Sequence, residues 1–170
     1  MTPDVVAAAE IDETPAPQET PRRLAIRLAA EKAAKVAVLY PDAWVLAADT
    51  VVAVGRRVLP KAETLAEGRA CLELLSGRAH RVLTGVAVAA PGGRISSRLS
   101  ETRLHFKRLT KAEIDRYLES REGLGKAGGY AVQGRAGGFV VNLQGSYSGV
   151  VGLPLYETAG LLAGSGYRLP

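Results

Sequence analysis

Cysteine is nearly absent: Cys71 is the single one in 170 residues, so no internal disulfide can form. Histidine is almost as scarce. His80 and His105 stand alone, and with one cysteine they match no metal-ligand spacing. Two Phe, six Tyr and one Trp leave few aromatic platforms on which successive bases could stack, which disfavours an extended single-strand nucleic-acid surface. No apolar run approaches the roughly 18–20 residues that span a bilayer. The first 20 residues hold no lysine or arginine to serve as the n-region of a signal peptide. These shortages predict a cytoplasmic protein with no membrane partner.

What is present suits one globular domain over residues 1–170, since 47% of the residues are hydrophobic and 23% charged. A chain of this length hides about 70% of its unfolded surface, enough to fold without a disulfide or metal staple. The net charge of +5 conceals an asymmetry. Asp4, Glu10, Asp12, Glu13 and Glu19 make the first 20 residues acidic, while the other 150 carry 22 bases against 12 acids. A basic body suits a polyanionic partner. With few aromatics and no nucleic-acid motif, nucleic acid is disfavoured and a small phosphorylated ligand is favoured.

Four prolines make residues 1–21 an extended segment. Over residues 22–39, Leu24, Leu28, Lys32 and Lys35 recur at helical spacing until Pro41 ends the run. Residues 44–48 and 50–54 read as a buried strand with Asp49 and Thr50 at its exit, followed by a turn at Gly55. Thr64 and Glu67 have capping-box spacing and open a helix over 64–76; Thr110 and Glu113 repeat the signal for a helix to about Ser120. Residues 82–89 and 95–106 flank Pro91-Gly92-Gly93 as a long hairpin. Ten glycines follow within residues 123–152, interrupted by strand-like pieces at 130–133 and 139–143, and an amphipathic stretch over 155–163 closes the pattern. Alternating helices and strands predict an α/β domain on a mixed sheet.

Several residues have the right chemistry for an anionic ligand. Asp49 sits where open α/β sheets place ligands, although a strand-end Asp taken alone is more often a turn former. Lys32, Lys35 and Lys61 can neutralise phosphate or simply face solvent. In the glycine-rich segment, glycines let the backbone approach an anion while Lys126 and Arg135 add charge. Its spacing is neither a Walker A loop nor a dinucleotide fingerprint. Gln133 can read a base edge through its amide or cap a strand. Cys71 and Trp44 read as core residues, and Ser146 and Ser148 have no neighbouring base to make either a nucleophile.

Taken in order, Ile11-Asp-Glu-Thr14, Leu28-Ala-Ala-Glu-Lys-Ala33, Ala48-Asp-Thr-Val-Val52, Leu74-Leu-Ser-Gly77 with His80 and Thr84-Gly85, Lys126-Ala-Gly-Gly-Tyr-Ala-Val-Gln133, and Gly145-Ser-Tyr-Ser-Gly-Val-Val-Gly-Leu-Pro154 resemble the Maf family of nucleoside triphosphate pyrophosphatases. The resemblance covers nearly the whole chain. It implies an elongated α/β fold related to inosine triphosphatases, with a large curved mixed sheet and a cleft between two lobes. The implied reaction cleaves a nucleoside triphosphate between its α and β phosphates with a divalent metal, Mg2+ or Mn2+, and keeps non-standard nucleotides from incorporation.

By the same resemblance Asp49 is catalytic, Glu13, Lys32, Thr50, Lys61 and Gln133 bind substrate, and Glu13 and Asp49 hold the metal. The Asp49-Thr50 pair with Gln133 resembles the branch acting on dTTP and UTP, not the branch acting on 7-methyl-GTP. A homodimer is also implied. Family members usually begin with a strand and a Ser-x-Ser-Pro-Arg-Arg turn; Met1 stands just downstream of that element, which predicts a shortened N-terminus. Smaller departures are Pro60-Lys61-Ala62 where Gly-Lys-Pro is commoner and Gly149 where Asn is usual. The alternative reading is a catalytically impaired nucleotide-binding protein linked to septum formation.

Overall fold

The structure is a computed structural model describing residues 2–168. Residues 2–20 run without helix or strand, as the prolines require. Helix α1, Pro21–Ala37, starts where Thr20 Oγ1 accepts the Arg23 N–H and Pro21 takes a position whose missing N–H costs nothing. Its buried stripe is Leu24, Ala25, Leu28, Ala29 and Ala33. Three alanines in that stripe let the helix axis lie close to the sheet.

Strand β1 spans Val45–Val54 without interruption, so Asp49 and Thr50 lie in the middle of a strand and not at its exit. Nine consecutive register pairs with β3, Ala79–Ala89, carry the backbone through the acidic residue. Ion pairing of its side chain removes the usual reason for a buried Asp to break a strand. Gly55, at φ +60°, turns the chain into the short strand β2, Arg57–Leu59, which the sequence pattern had not suggested. Trp44 is 40% exposed and caps no core; its Nε1 donates to the Ser165 carbonyl and its ring meets Tyr167 edge-on.

Helix α2, Leu65–Leu75, and helix α3, Lys111–Glu119, both begin with the expected capping box. Strands β3 and β4, Ile95–Phe106, form the long hairpin. Strand β5, Val140–Gln144, then helices α4, Tyr147–Val151, and α5, Leu155–Gly164, complete the order. The expected strand at residues 130–133 is instead a set of turns leading into a 3-10 helix, Arg135–Phe139. Gly128 and Gly129, both at φ +70°, bend the chain away from any strand partner just before it.

The sheet order is β2-β1-β3-β4-β5 and every pairing is antiparallel. The α/β class is as expected, but no parallel pair occurs among the described strands. Tight turns joining β1 to β2 and β3 to β4 permit only antiparallel neighbours. Helix α1 covers one face against Val51, Ala53 and Leu83. On the other face α2, α3, Phe106, Tyr130 and Phe139 share a core with Val52 and Val82, while α5 packs on Val86 and Val88. Residues 82–89 of β3 are therefore buried on both sides, which explains an unbroken apolar run in an antiparallel strand.

Gly85 sets the spacing between α1 and the sheet. A Cβ there would lie 2.1 Å from the Ala25 carbonyl oxygen and 2.9 Å from the Ile26 nitrogen, both helix backbone atoms. Its register partner across the sheet is Asp49. Gly85→Ala is expected to push α1 outward and lower stability by about 1–3 kcal/mol, the usual cost of overpacking. A urea unfolding midpoint unchanged from the parent would contradict this role for Gly85.

Candidate active site

Alternation along β1 divides two neighbouring residues between two faces. Asp49 shares the α1 side with Val51 and Ala53, whereas Thr50 follows Val52 toward the opposite face. On the α1 side, Lys32 lies one turn beyond Leu28 and its Nζ donates to Asp49 Oδ1 at 2.5 Å. The same Nζ is 2.7 Å from Glu13 Oε1, and Glu13 Oε2 accepts from Lys61 Nζ. The result is a four-member chain, Asp49–Lys32–Glu13–Lys61, of alternating charge. Side-chain exposure rises along it, from 4% at Asp49 through 17% at Lys32 to 36% and 40% at Glu13 and Lys61. The inner pair is therefore little screened by water and salt, and the outer pair is substantially screened.

The titration of the middle groups reflects this balance. Burial disfavours the Lys32 ammonium, but hydrogen bonds to Asp49 and Glu13 outweigh it and raise its pKa. Burial likewise opposes ionisation of Glu13, and the hydrogen bonds from Lys32 and Lys61 reverse the outcome and lower its pKa. Both groups are thus held in their charged forms around neutrality.

At the sheet edge a cavity of about 270 Å³ opens, with Asp49, Thr50, Lys61, Lys126, Tyr130 and Gln133 on its wall beside Gly125 and Gly152. Lys61 and Lys126 come from remote segments, and backbone bonds tie these together: Gly125 N–H donates to the Ala62 carbonyl at 2.9 Å and Ala62 N–H to the Lys126 carbonyl at 3.2 Å. Glu13 and Lys32 do not line the cavity. They reach it through their partners Asp49 and Lys61. Arg135, expected to add charge to the same loop, pairs with Glu122 instead and does not line the cavity. Lys35 donates to the Glu10 carbonyl and pins the extended N-terminal segment.

Three contributors escaped the reading of the sequence. Tyr130 lines the cavity, and its hydroxyl meets His80 Nε2 at 2.8 Å within the core. Thr84, the register partner of Thr50, lies 3.0 Å from it hydroxyl to hydroxyl. His80 and Thr84 belong to recognisable motifs, but only strand register and a distant loop show what they touch. Burial lowers the His80 pKa from 6.5 to about 4.

Two lysines, a buried carboxylate and a small cavity thus come together on an α/β scaffold. The Maf-like protein family profile matches residues 1–165, and the chain belongs to the Maf family. Similar curated proteins carry the name dTTP/UTP pyrophosphatase. That of Caulobacter vibrioides is 65% identical over 168 residues, covering 99% of this chain and 87% of the relative. Those of Maricaulis maris and Mesorhizobium japonicum are 60% and 57% identical, with 80% and 84% of their lengths covered and 98% and 99% of this chain.

Two outcomes follow from the buried charges. Lys32→Met leaves the Asp49 carboxylate buried without its partner and is expected to cost about 3–5 kcal/mol, with much of the loss recovered in Lys32→Met/Asp49→Asn. Equal stability of the single and double variants in denaturant titrations would refute this pairing. For His80 the folded pKa lies below the unfolded one, so its stabilising contribution is present above pH 6.5 and is lost as pH falls toward about 4. Unfolding free energy should drop by roughly 2–3 kcal/mol across that window, and the slope between pH 6.5 and 5 should flatten in His80→Gln.

Proposed function

We propose that the chain hydrolyses nucleoside triphosphates between the α and β phosphates, releasing the monophosphate and pyrophosphate, with dTTP and UTP as preferred substrates. The observation that carries this reading is the Asp49–Lys32–Glu13–Lys61 chain ending at a cavity that also holds Lys126. The names of the similar proteins support the same choice of nucleotides. A cytoplasmic nucleotide pool is the corresponding location, and exclusion of non-standard nucleotides from incorporation the corresponding role.

In this mechanism a water oxygen attacks the α phosphorus, its proton passes to Asp49, and the bond to the α–β bridging oxygen breaks. Lys61 and Lys126 meet the charge that grows on the departing pyrophosphate. Lys32 orients Asp49 and Glu13, while Thr50 and Gln133 present neutral polar groups to the rest of the nucleotide.

The divalent metal implied by the family resemblance fits this donor set. Glu13 and Asp49 already share one cation, the Lys32 ammonium, and supply the hard oxygens that Mg2+ or Mn2+ takes. Among the described residues no cluster of three or more His, Cys, Asp or Glu side chains forms a separate cage. Two carboxylates suit a metal that arrives with the triphosphate, because Mg2+ is commonly held by one or two carboxylates together with phosphate oxygens. Such an ion would neutralise phosphate charge.

Pyrophosphate release from dTTP, UTP and 7-methyl-GTP in the presence of Mg2+ tests the proposal. Asp49→Asn is expected to lower kcat roughly 100- to 1,000-fold or more, on the scale of losing one transition-state contact. Lys35→Ala, whose ammonium binds the Glu10 carbonyl away from the cavity, should retain parental rates. Undiminished turnover in Asp49→Asn, or a preference for 7-methyl-GTP, would overturn the reading. Nucleotide binding without pyrophosphate release would support the regulatory alternative.

A further inference from the structure

Thr50 and Thr84 face each other across β1 and β3, and between them they have only two hydroxyl protons. The Thr84 residue is 1% exposed. Its Oγ1 donates to the Gly149 carbonyl at 2.7 Å, and it lies 3.0 Å from Thr50 Oγ1. The Gly149 carbonyl also accepts the Gly152 N–H at 3.1 Å. It is held in place from its own amide, which donates to Ser146 Oγ at 3.0 Å. A carbonyl has no proton to give, so the short bond takes the Thr84 proton. The Thr50 proton must then go to Thr84. Turning the order round would strip a buried carbonyl of one donor, at a cost comparable to an unmade hydrogen bond.

Thr50 therefore meets the cavity with lone pairs and no proton. Its oxygen lies 3.9 Å from where a Gly152 side chain would begin, on the cavity wall. The other neutral polar groups there are differently placed. The Gln133 carboxamide presents either its oxygen or its NH2 by turning over. The Tyr130 hydroxyl is occupied by His80.

We propose that Thr84 is a positioning residue for base selection: by accepting a hydrogen bond from the Thr50 hydroxyl it leaves Thr50 an acceptor toward the cavity, which favours bases with a ring N–H over bases with a bare ring nitrogen. The selection is made with Thr50 facing N3, where uracil and thymine carry such an N–H and cytosine a lone pair; an acceptor facing position 4 would instead favour the cytosine amine. The inference rests on the reading of the cavity as a pyrimidine-nucleotide site and adds the residue that sets its polarity.

The test compares UMP and CMP affinity by calorimetry, and kcat/KM for UTP and CTP, in the parent, Thr84→Val and Thr84→Ser. The parent is expected to prefer uracil at least about tenfold, within what one buried hydrogen bond provides. Thr84→Val frees the Thr50 hydroxyl to donate, so the uracil-to-cytosine ratio should fall about tenfold, mainly through a gain for cytosine. Thr84→Ser restores the proton acceptor and should restore the parental ratio. A purely structural role for Thr84 would weaken both nucleotides equally and leave the ratio unmoved, and that result would overturn the proposal, as would a parent that binds CMP as well as UMP. If Thr84→Val does not fold, Thr50→Val decides, since loss of the acceptor should bring UMP affinity down to that of CMP and unchanged affinity refutes the idea. If the parent cleaves neither triphosphate, the pyrophosphatase reading fails by itself, and the UMP and CMP affinities still judge Thr84.

Discussion

One ammonium group between two carboxylates organises this molecule. Without Lys32, Asp49 and Glu13 would be neighbouring anions, one of them almost entirely removed from water, and such a pair is unfavourable at low effective dielectric. With it, a helix, a central strand and an extended N-terminal segment are fastened at a single point. The geometry depends on α1 lying close enough to β3 for a lysine to reach β1, and that closeness depends on the missing side chain at Gly85 and the alanines of α1.

The extended segment that carries Glu13 has no regular structure of its own and is held chiefly by α1. Arg27 binds Glu19 at 2.8 Å and the Thr14 carbonyl at 3.0 Å, Lys35 binds the Glu10 carbonyl, and Ile11 packs against the cluster of Leu24 and Leu28. An acidic stretch against a basic body, visible as a charge asymmetry in the chain, is thus the means by which the Glu13 carboxylate is brought between Lys32 and Lys61. The glycine-rich segment is used differently. Its positive-φ glycines allow it to lie directly against β1, where a Cβ on Gly128 would collide with Val52, and to carry Lys126 beside Lys61, which bridges to Ala127.

Much of the architecture was legible beforehand. The two capping boxes, the start of α1 at a proline and the long hairpin are local signals, written in residues three or four apart or in a single turn. The failures share a cause. Asp49 looked like a strand terminus because an isolated carboxylate is hard to bury, and its partner lies on a helix 17 residues earlier. Trp44 looked like core because aromatic residues commonly are, yet nothing packs over its outer face. Residues 130–133 looked like a strand from composition, while Gly128 and Gly129 and the bond from the Ala131 amide to the Tyr117 hydroxyl made them turns.

The amino-acid sequence by itself determined the α/β class, the boundaries of α1, α2, α3 and α5 to within a few residues, the Maf resemblance and a short list of candidate polar residues. Those follow from periodicity, caps and motif order, which are properties of neighbours along the chain. Only the tertiary structure decided that Asp49 and Thr50 face opposite sides of the sheet, that Lys61 and Lys126 share one wall, and that Thr50 and Thr84 meet hydroxyl to hydroxyl. Each of these depends on strand register and on close approach between distant segments, and a hydrogen bond a few tenths of an ångström out of place is not the same bond.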